Sequence, residues 1–163
     1  TLHRPSNVDV EEKVIQLVDN LIETSRKIPV IFPMHPRTRN NLEKFGKIDL
    51  LENESSIHIL EPLGYLEFVS LVGNSTLVIT DSGGLQEETT SLGIPCLTLR
   101  ENTERPITIT EGTNRLISDL SHLQIAVDEA LDKQASLEPR KPKFWDGQAA
   151  QRIVDAIVNC IER

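Results

Sequence analysis

Short apolar segments alternate with longer amphipathic segments along this chain, and the alternation constrains its fold more than any other feature. Each apolar segment is flanked by turn residues, whereas the longer segments carry apolar side chains at helical spacing. Strands that are apolar along their whole length are typical of parallel sheets covered by helices on both faces. The pattern therefore predicts an α/β domain built on a parallel sheet of this kind.

The order of these segments predicts where the strands and helices lie. Strands are expected over residues 30–32, 57–60, 76–80, 95–99 and 114–117. Helices are expected over residues 9–26, 64–73, 84–93, 123–131 and 149–161, with a shorter one ending near Gly46. Because ligands bind at the carboxyl ends of the strands in such sheets, the loops after the strands hold the candidate functional residues. We expect the final helix to pack on the same domain.

Charge and composition exclude several classes of function. The chain has 25 acidic and 17 basic residues among 163, so no nucleic acid partner is expected, because phosphate backbones bind basic surfaces. The charge is compatible with one small anion, which a helix N-terminus and a few cations can hold. No apolar run approaches the roughly 20 residues that cross a bilayer, and the chain opens without a secretory signal, so no membrane association is expected.

The two cysteines, Cys96 and Cys160, form neither a metal-binding motif nor a disulfide framework. We expect two free thiols in a reducing compartment, which places the protein in the cytoplasm. No metal site is predicted, because neither His3 nor His35 has a cysteine or second histidine three or four residues away. Since the chain begins with Thr1, close to an apparent motif, we expect a fragment or an excised domain of a longer protein.

The segment TDSGG, residues 80–84, lies between a predicted strand and a predicted helix. Free backbone amides and the helix dipole favour an anion there, and glycines let a phosphate approach because a Cβ would intrude. Ser82 can add a hydroxyl donor or cap the helix. The alternative is a tight turn in which Ser82 or Asp81 serves only as the N-cap. The candidate binding residues here are Ser82, Gly83 and Gly84.

Charged residues accompany this glycine turn. Glu88 lies one helical turn beyond Gly84 and faces the same side, where a carboxylate can accept both hydroxyls of a ribose. Glu87 fits a simpler role, because a carboxylate near a helix start complements the dipole. The segment RENTERP places Arg100 and Arg105 after the next strand, and arginine suits bidentate pairing with phosphate oxygens. A solvated surface loop is the alternative interpretation of that segment.

Two histidines and an aromatic pair complete the candidates. His3 and His35 lie near predicted strand ends, so both could reach the ligand cleft, and a structural or surface role is the alternative. Tyr65 and Phe68 share one helical face, three residues apart. An aromatic ring there could cover a nucleobase or pack against neighbouring elements.

Several segments together resemble the non-hydrolysing UDP-N-acetylglucosamine 2-epimerase family: HRP, MHP, EPLGYLEFVSLV, the long stretch 80–117, and DGQAAQRIVDAI. The resemblance runs in order over nearly the whole chain. It implies the C-terminal domain of that family's fold, which is the Rossmann-like half of a type-B glycosyltransferase-like two-domain architecture. Residues 1–163 are then a single UDP-binding domain, and the N-terminal domain that supplies the catalytic carboxylates is absent from this chain. The resemblance also implies that the end of the final helix approaches that other domain.

The resemblance also implies roles for residues near the diphosphate and the ribose. Residues 82–84 match the diphosphate-binding turn, Glu88 matches the ribose-binding carboxylate, and Arg105 matches a diphosphate-binding arginine. His3 matches a histidine near the diphosphate that matters for catalysis.

Further roles concern the uracil end of the substrate. Phe68 matches an aromatic residue near uracil. Leu63 or Gly64 matches a second uracil contact. Leu63 departs from the polar residue that some members carry there, so its contact is expected through the backbone. His35 is an additional candidate for substrate binding.

For the whole protein, the resemblance implies inversion at C2 of the sugar, which interconverts UDP-GlcNAc and UDP-ManNAc without a cofactor. The C2 proton and UDP are lost to give a glycal, and UDP then adds back while a proton returns to the opposite face of C2, which inverts that carbon. The diphosphate half of the site then needs a positive bias, because negative charge develops there as UDP departs. The expected partners are UDP, UDP-GlcNAc, the N-terminal domain and a second copy in a homodimer. This chain alone is expected to be inactive, and the whole enzyme to serve cell-surface polysaccharide biosynthesis.

Three other functions fit many of the same residues. A donor-binding domain of a type-B glycosyltransferase shares the sheet, the glycine turn and the ribose carboxylate. A hydrolysing UDP-GlcNAc 2-epimerase releases free ManNAc and UDP. A stand-alone nucleotide-binding module binds UDP without chemistry. Segment 100–117 and the motif DGQAAQRI favour the epimerase over the glycosyltransferase.

Overall fold

The computed structural model describes residues 1–133 and 142–161. The strands in these ranges are β1 (Val30–Pro33), β2 (Ile57–Leu60), β3 (Val78–Thr80), β4 (Cys96–Thr98) and β5 (Asn114–Leu116). The helices are α1 (Pro5–Val8), α2 (Glu11–Ser25), α3 (Pro36–Lys44), α4 (Ile48–Glu52), α5 (Tyr65–Gly73), α6 (Gly83–Leu92), α7 (Ile107–Thr110), α8 (Leu123–Lys133) and α9 (Ala149–Ile161). A 3₁₀ turn, Leu120–His122, leads into α8.

All observed strand pairs are parallel, which confirms the predicted α/β class. β1 pairs with β2, and β4 lies between β3 and β5. The strands thus form two short parallel sheets where the sequence predicts one. β1 and β3 face each other across a groove of about 410 Å³ that Thr1 also lines, and the Thr1 amino group donates to the Ile79 carbonyl on β3. The carboxyl ends of β3, β4 and β5 lie together at one edge.

The main core lies between the sheets and the helices α2 and α8. The buried stripe of α2 consists of Val14, Leu17, Val18 and Leu21, and that of α8 consists of Leu123, Ala126 and Val127. These positions follow the helical spacing that the sequence displays. Burying each large apolar side chain stabilises the fold by roughly 1.5–3 kcal/mol. A second, smaller cluster beneath α5 and α6 contains Val72, Val78, Leu85 and Cys96.

Three short helices, α1, α4 and α7, are not predicted from the sequence. Each spans only four or five residues, so none contains a full apolar repeat that periodicity could detect. Prolines mark two of them: Pro5 is the first residue of α1, and Pro106 precedes α7. The short helix expected near Gly46 is confirmed as α3, and Gly46 follows it with a positive φ of 63°.

The prediction that the final helix packs on this domain is wrong. The apolar side chains of α9 are exposed: Ile153, Val154, Ile157, Val158 and Ile161. The core cluster contains no residue of α9 within the described ranges. The free thiol of Cys160 on this helix is exposed, whereas that of Cys96 is buried on β4. None of the helices in the described ranges is both long and apolar enough to cross a bilayer.

Gly112, between α7 and β5, allows the chain to pass close to α6. A Cβ at this position would lie 2.5 Å from the Thr108 carbonyl oxygen and 2.6 Å from the Thr90 hydroxyl. The first of these neighbours is backbone, so it cannot turn aside. The approach holds the 100–112 segment against α6, which also carries the glycine turn.

We predict that Gly112→Ala lowers the free energy of unfolding by about 1–3 kcal/mol, because the added methyl group overpacks this contact. Urea denaturation followed by circular dichroism measures the change. Gly73→Ala is the matched control, since a Cβ at Gly73 meets nothing within 4 Å and its φ is not positive. Equal loss of stability in the two variants would contradict the close-packing explanation.

Candidate functional site

The glycine turn lies at the carboxyl end of β3 and starts the ten-residue helix α6. Ser82 is the N-cap residue by backbone geometry, with φ −78° and ψ 133°, but its side chain makes no capping hydrogen bond. Its backbone N–H donates to the Thr80 hydroxyl at 3.1 Å. The alternative in which Ser82 caps the helix with its side chain is therefore not observed. The hydroxyl of Ser82 is available for another acceptor or donor.

The two glycines of the turn leave space that a side chain would fill, and they are not required for an unusual backbone conformation. Neither Gly83 nor Gly84 has a positive φ. A Cβ on Gly84 would meet no atom within 4 Å, so the chain leaves open space in front of that residue. A Cβ on Gly83 would lie 2.8 Å from Glu104 Oε1. The bare backbone of Gly83 thus permits a carboxylate to lie directly against the helix start.

Two arginines and two glutamates surround the turn. Arg100 Nη2 lies 2.8 Å from Glu104 Oε2, and Arg105 Nη1 lies 3.5 Å from Glu104 Oε1. Arg105 Nε donates to Glu87 Oε2 at 2.7 Å, which raises the pKa of Arg105. The hydrogen bond from Arg100 lowers the pKa of Glu104 to about 2. Glu104 and Arg105 are therefore charged at neutral pH. The solvated-loop interpretation of RENTERP is wrong for Arg100, whose side chain is only 11% exposed.

A buried amide network positions the loop that carries these arginines. Gln86 on α6 is fully buried, and its Oε1 accepts from the Thr103 hydroxyl at 2.6 Å and from Asn114 Nδ2 at 3.2 Å. The Thr103 hydroxyl in turn accepts from the Arg105 backbone N–H at 3.0 Å. Because α6 and β5 are fixed in the core, this network fixes the backbone of Arg105 relative to the glycine turn.

Asp81 joins the glycine turn to the beginning of the chain. It is fully buried, and its carboxylate accepts from the backbone N–H groups of His3 and Arg4 and from Asn7 Nδ2 at distances of 2.8 to 3.1 Å. His3 Nδ1 lies 3.1 Å from Asp81 Oδ1, and Arg4 Nε donates to the Asp81 carbonyl. Asp81 therefore orients His3 beside the turn and does not act as the N-cap of α6.

The two candidate histidines lie side by side. The rings of His3 and His35 have centroids 5.3 Å apart. His35 is the N-cap of α3, where its Nδ1 accepts from the Arg37 backbone N–H at 3.1 Å. His35 therefore has the structural role that the sequence offers as an alternative, and its side chain is exposed next to His3.

The two glutamates of α6 differ in their surroundings. Glu87 is held by Arg105, so it orients a neighbour in addition to lying near the helix start. Glu88 is half-buried and forms no hydrogen bond or ion pair with any residue in the described part of the chain. One turn beyond Gly84, the Glu88 carboxylate thus presents both oxygens for an external donor.

The aromatic candidate lies on the neighbouring helix. Phe68 of α5 is half-buried and packs against the cluster that contains Val72 and Leu85, as the packing alternative predicts. Because Leu85 directly follows Gly84, this packing also places α5 beside the start of α6. Leu63 is half-buried in the loop before α5, and Tyr65, at 67% exposure, points into solvent.

The arrangement suits an anion with two phosphate groups. It combines a helix N-terminus, two guanidinium groups and a bare backbone turn at one edge of the sheet. No cluster of three or more His, Cys, Asp or Glu side chains suited to a metal ion occurs among the residues the structure describes.

Four residues of the site are missing from the sequence prediction: Asp81, Gln86, Glu104 and Asn114. Asp81 offered a signal, since a carboxylate directly after a buried strand needs buried partners. Gln86, Glu104 and Asn114 offered none, because their partners come from other elements.

Comparison with known proteins gives a consistent result. The family model described as UDP-N-acetylglucosamine 2-epimerase matches residues 1–158. The chain is 43% identical over 157 residues to a UDP-N-acetylglucosamine 2-epimerase from Methanocaldococcus jannaschii, which covers 94% of this chain and 42% of that protein. It is 45% identical over 160 residues to the enzyme of the same name from Methanococcus maripaludis, covering 96% and 43%.

Solved structures agree with these relatives. The structure of UDP-GlcNAc 2-epimerase from Methanocaldococcus jannaschii superposes with a TM-score of 0.84 at 40% identity, covering 97% of this chain and 44% of that one. The same enzyme in complex with UDP-GlcNAc and UDP gives a TM-score of 0.81 at 39% identity, with the same coverage. The chain thus spans less than half the length of the relatives it matches. It belongs to the UDP-N-acetylglucosamine 2-epimerase family.

Proposed function

We propose that this chain is the UDP-binding domain of an enzyme that interconverts UDP-GlcNAc and UDP-ManNAc by elimination and re-addition of UDP. The observation that carries the proposal is the glycine turn at the start of α6, faced by the guanidinium groups of Arg100 and Arg105. The relative solved with UDP-GlcNAc and UDP supports the choice of nucleotide. In this proposal residues 1–163 form one domain, and a second domain of the longer protein supplies the catalytic carboxylates.

In this proposal the diphosphate binds at the start of α6 and at Arg105. As the bond between the sugar C1 and the phosphate oxygen breaks, negative charge grows on the departing UDP. The backbone amides of residues 82–84 and the guanidinium of Arg105 stabilise that charge. The hydrogen bonds of Gln86 and Thr103 hold the Arg105 loop in position before the ligand binds. Glu88 accepts the ribose hydroxyls, and Phe68 and Leu63 lie toward the base.

His3 assists catalysis from the other side of the turn. Its Nδ1–H donates to Asp81, because a carboxylate can only accept, and this leaves Nε2 to face the ligand. Since an ionised phosphate oxygen can only accept, a histidine oriented in this way binds the diphosphate by donating from Nε2. The proton at C2 is removed and returned by the second domain, whose closure over the sugar excludes water. The homodimer expected from the sequence belongs to this proposal as well.

We predict that the 163-residue chain binds UDP weakly and that Arg105→Ala and Glu88→Ala weaken binding by roughly 10- to 100-fold, the effect of losing a charged hydrogen bond. Isothermal titration calorimetry measures the affinities. Arg115→Ala is the matched control, because Arg115 pairs with Glu129 on α8 at 2.7 Å. With 2′-deoxy-UDP in place of UDP, the difference in binding affinity between wild type and Glu88→Ala should be smaller. Equal UDP affinities in wild type and both site variants would refute the assignment.

We predict that the full-length protein converts UDP-GlcNAc alone into UDP-ManNAc, and that Arg105→Ala lowers kcat by roughly 100-fold or more through loss of leaving-group stabilisation. Product analysis by nuclear magnetic resonance follows the reaction. Release of free ManNAc and UDP would identify a hydrolysing enzyme instead. A requirement for an acceptor sugar would identify a glycosyltransferase. The 163-residue chain is expected to show no turnover.

A further inference from the structure

The carboxylate of Glu104 lies in the position where the proposed function needs a phosphate group. Its Oε1 approaches the Cβ position of Gly83 to 2.8 Å, at the start of α6. Its two oxygens pair with Arg100 at 2.8 Å and with Arg105 at 3.5 Å. A phosphate bound to this turn would take the same three partners: the helix start and the two guanidinium groups.

Arg100 has more N–H groups to donate than Glu104 accepts. Its side chain is 11% exposed, and its Nη1 is buried with no hydrogen-bond partner among the described residues. That Nη1 lies 3.7 Å from the Cβ position of Gly83, as does Nη1 of Arg105. A buried N–H without a partner is costly, so an oxygen that reaches it is bound more tightly than at an exposed site. A tetrahedral phosphate has three oxygens to offer, whereas the carboxylate has two.

Glu104 can leave this position, whereas Arg100 cannot. The side chain of Glu104 is 50% exposed, so it can turn toward solvent without unpacking the core. Because Arg100 lowers the pKa of Glu104 to about 2, the carboxylate stays negatively charged at neutral pH and competes with another anion for the same cations. Arg100 is fixed by its burial.

We infer that Glu104 is an internal anion that holds Arg100 and Arg105 in place and is displaced by the diphosphate, and that Arg100 is a second phosphate-binding residue beside Arg105. The inference rests on the proposed function, since it takes the diphosphate to bind at the glycine turn. Glu104 competes with any incoming anion, so an anion binds only if it replaces the contacts of Glu104 with both arginines. A diphosphate does so, whereas a single small carboxylate gains little. Glu104 thereby contributes to selectivity for the nucleotide.

The test compares Glu104→Gln with Glu101→Gln in the 163-residue chain, using UDP and uridine as ligands. Both substitutions remove one negative charge from the same loop, and Glu101 is exposed and pairs with no residue in the described ranges. We expect Glu104→Gln to tighten UDP binding by about fivefold, the effect of removing one partly exposed ion pair. Glu101→Gln should change it less than twofold, and neither substitution should alter uridine binding.

A second variant examines Arg100. We expect Arg100→Ala to weaken UDP binding by roughly tenfold or more without changing uridine binding, because its contact is to phosphate. Arg100→Lys, which keeps the charge but loses the second N–H branch, should recover only part of the affinity. Urea denaturation confirms that each variant folds before its binding is measured.

The outcomes separate this inference from the proposed function. If wild type does not bind UDP, the proposed function fails. If wild type binds UDP and Arg105→Ala weakens it, but Glu104→Gln binds UDP no more tightly than Glu101→Gln, the inference alone fails. Equal tightening by both glutamine variants also overturns it, because only the overall charge would then matter. Unchanged UDP affinity in Arg100→Ala removes Arg100 from the site.

Discussion

The buried carboxylate of Asp81 is the interaction on which the geometry of the site depends. A buried charge is tolerated only when hydrogen bonds satisfy it, and here the donors come from His3, Arg4 and Asn7. Satisfying Asp81 therefore fastens the first residues of the chain to the end of β3. The same contacts orient the imidazole of His3 next to the glycine turn, so one structural requirement also places a catalytic candidate.

A second buried polar group fixes the opposite side of the turn. Gln86 connects α6 to Thr103 and Asn114, and through Thr103 to the backbone of Arg105. The arginine side chains are thus carried on a loop whose backbone is held from two directions. Their charges are balanced by Glu87 and Glu104. In the proposed function, the diphosphate replaces part of this internal balance with its own contacts to the arginines.

Much of the fold follows from local patterns. The five strands and the helices with full apolar repeats lie close to their predicted positions, because the periodicity of α2 or the apolar run of β2 is contained in a few neighbouring residues. The one-turn helices α1, α4 and α7 escape prediction because they contain no repeat. The prediction that the final helix packs on this domain is wrong. An apolar helix face such as that of α9 indicates that the face is to be buried, but it does not indicate which surface buries it.

The sequence by itself determined the α/β class, the glycine turn between β3 and α6, and the candidate residues His3, Glu88 and Arg105, because each depends on residue type and short-range spacing. Only the tertiary structure decided which charges meet. His3 and Asp81 are 78 residues apart in the chain, and Glu104 reaches Gly83 from another loop. Such contacts depend on how parallel strands bring their carboxyl ends to one edge, and no local pattern of residues encodes the resulting distances.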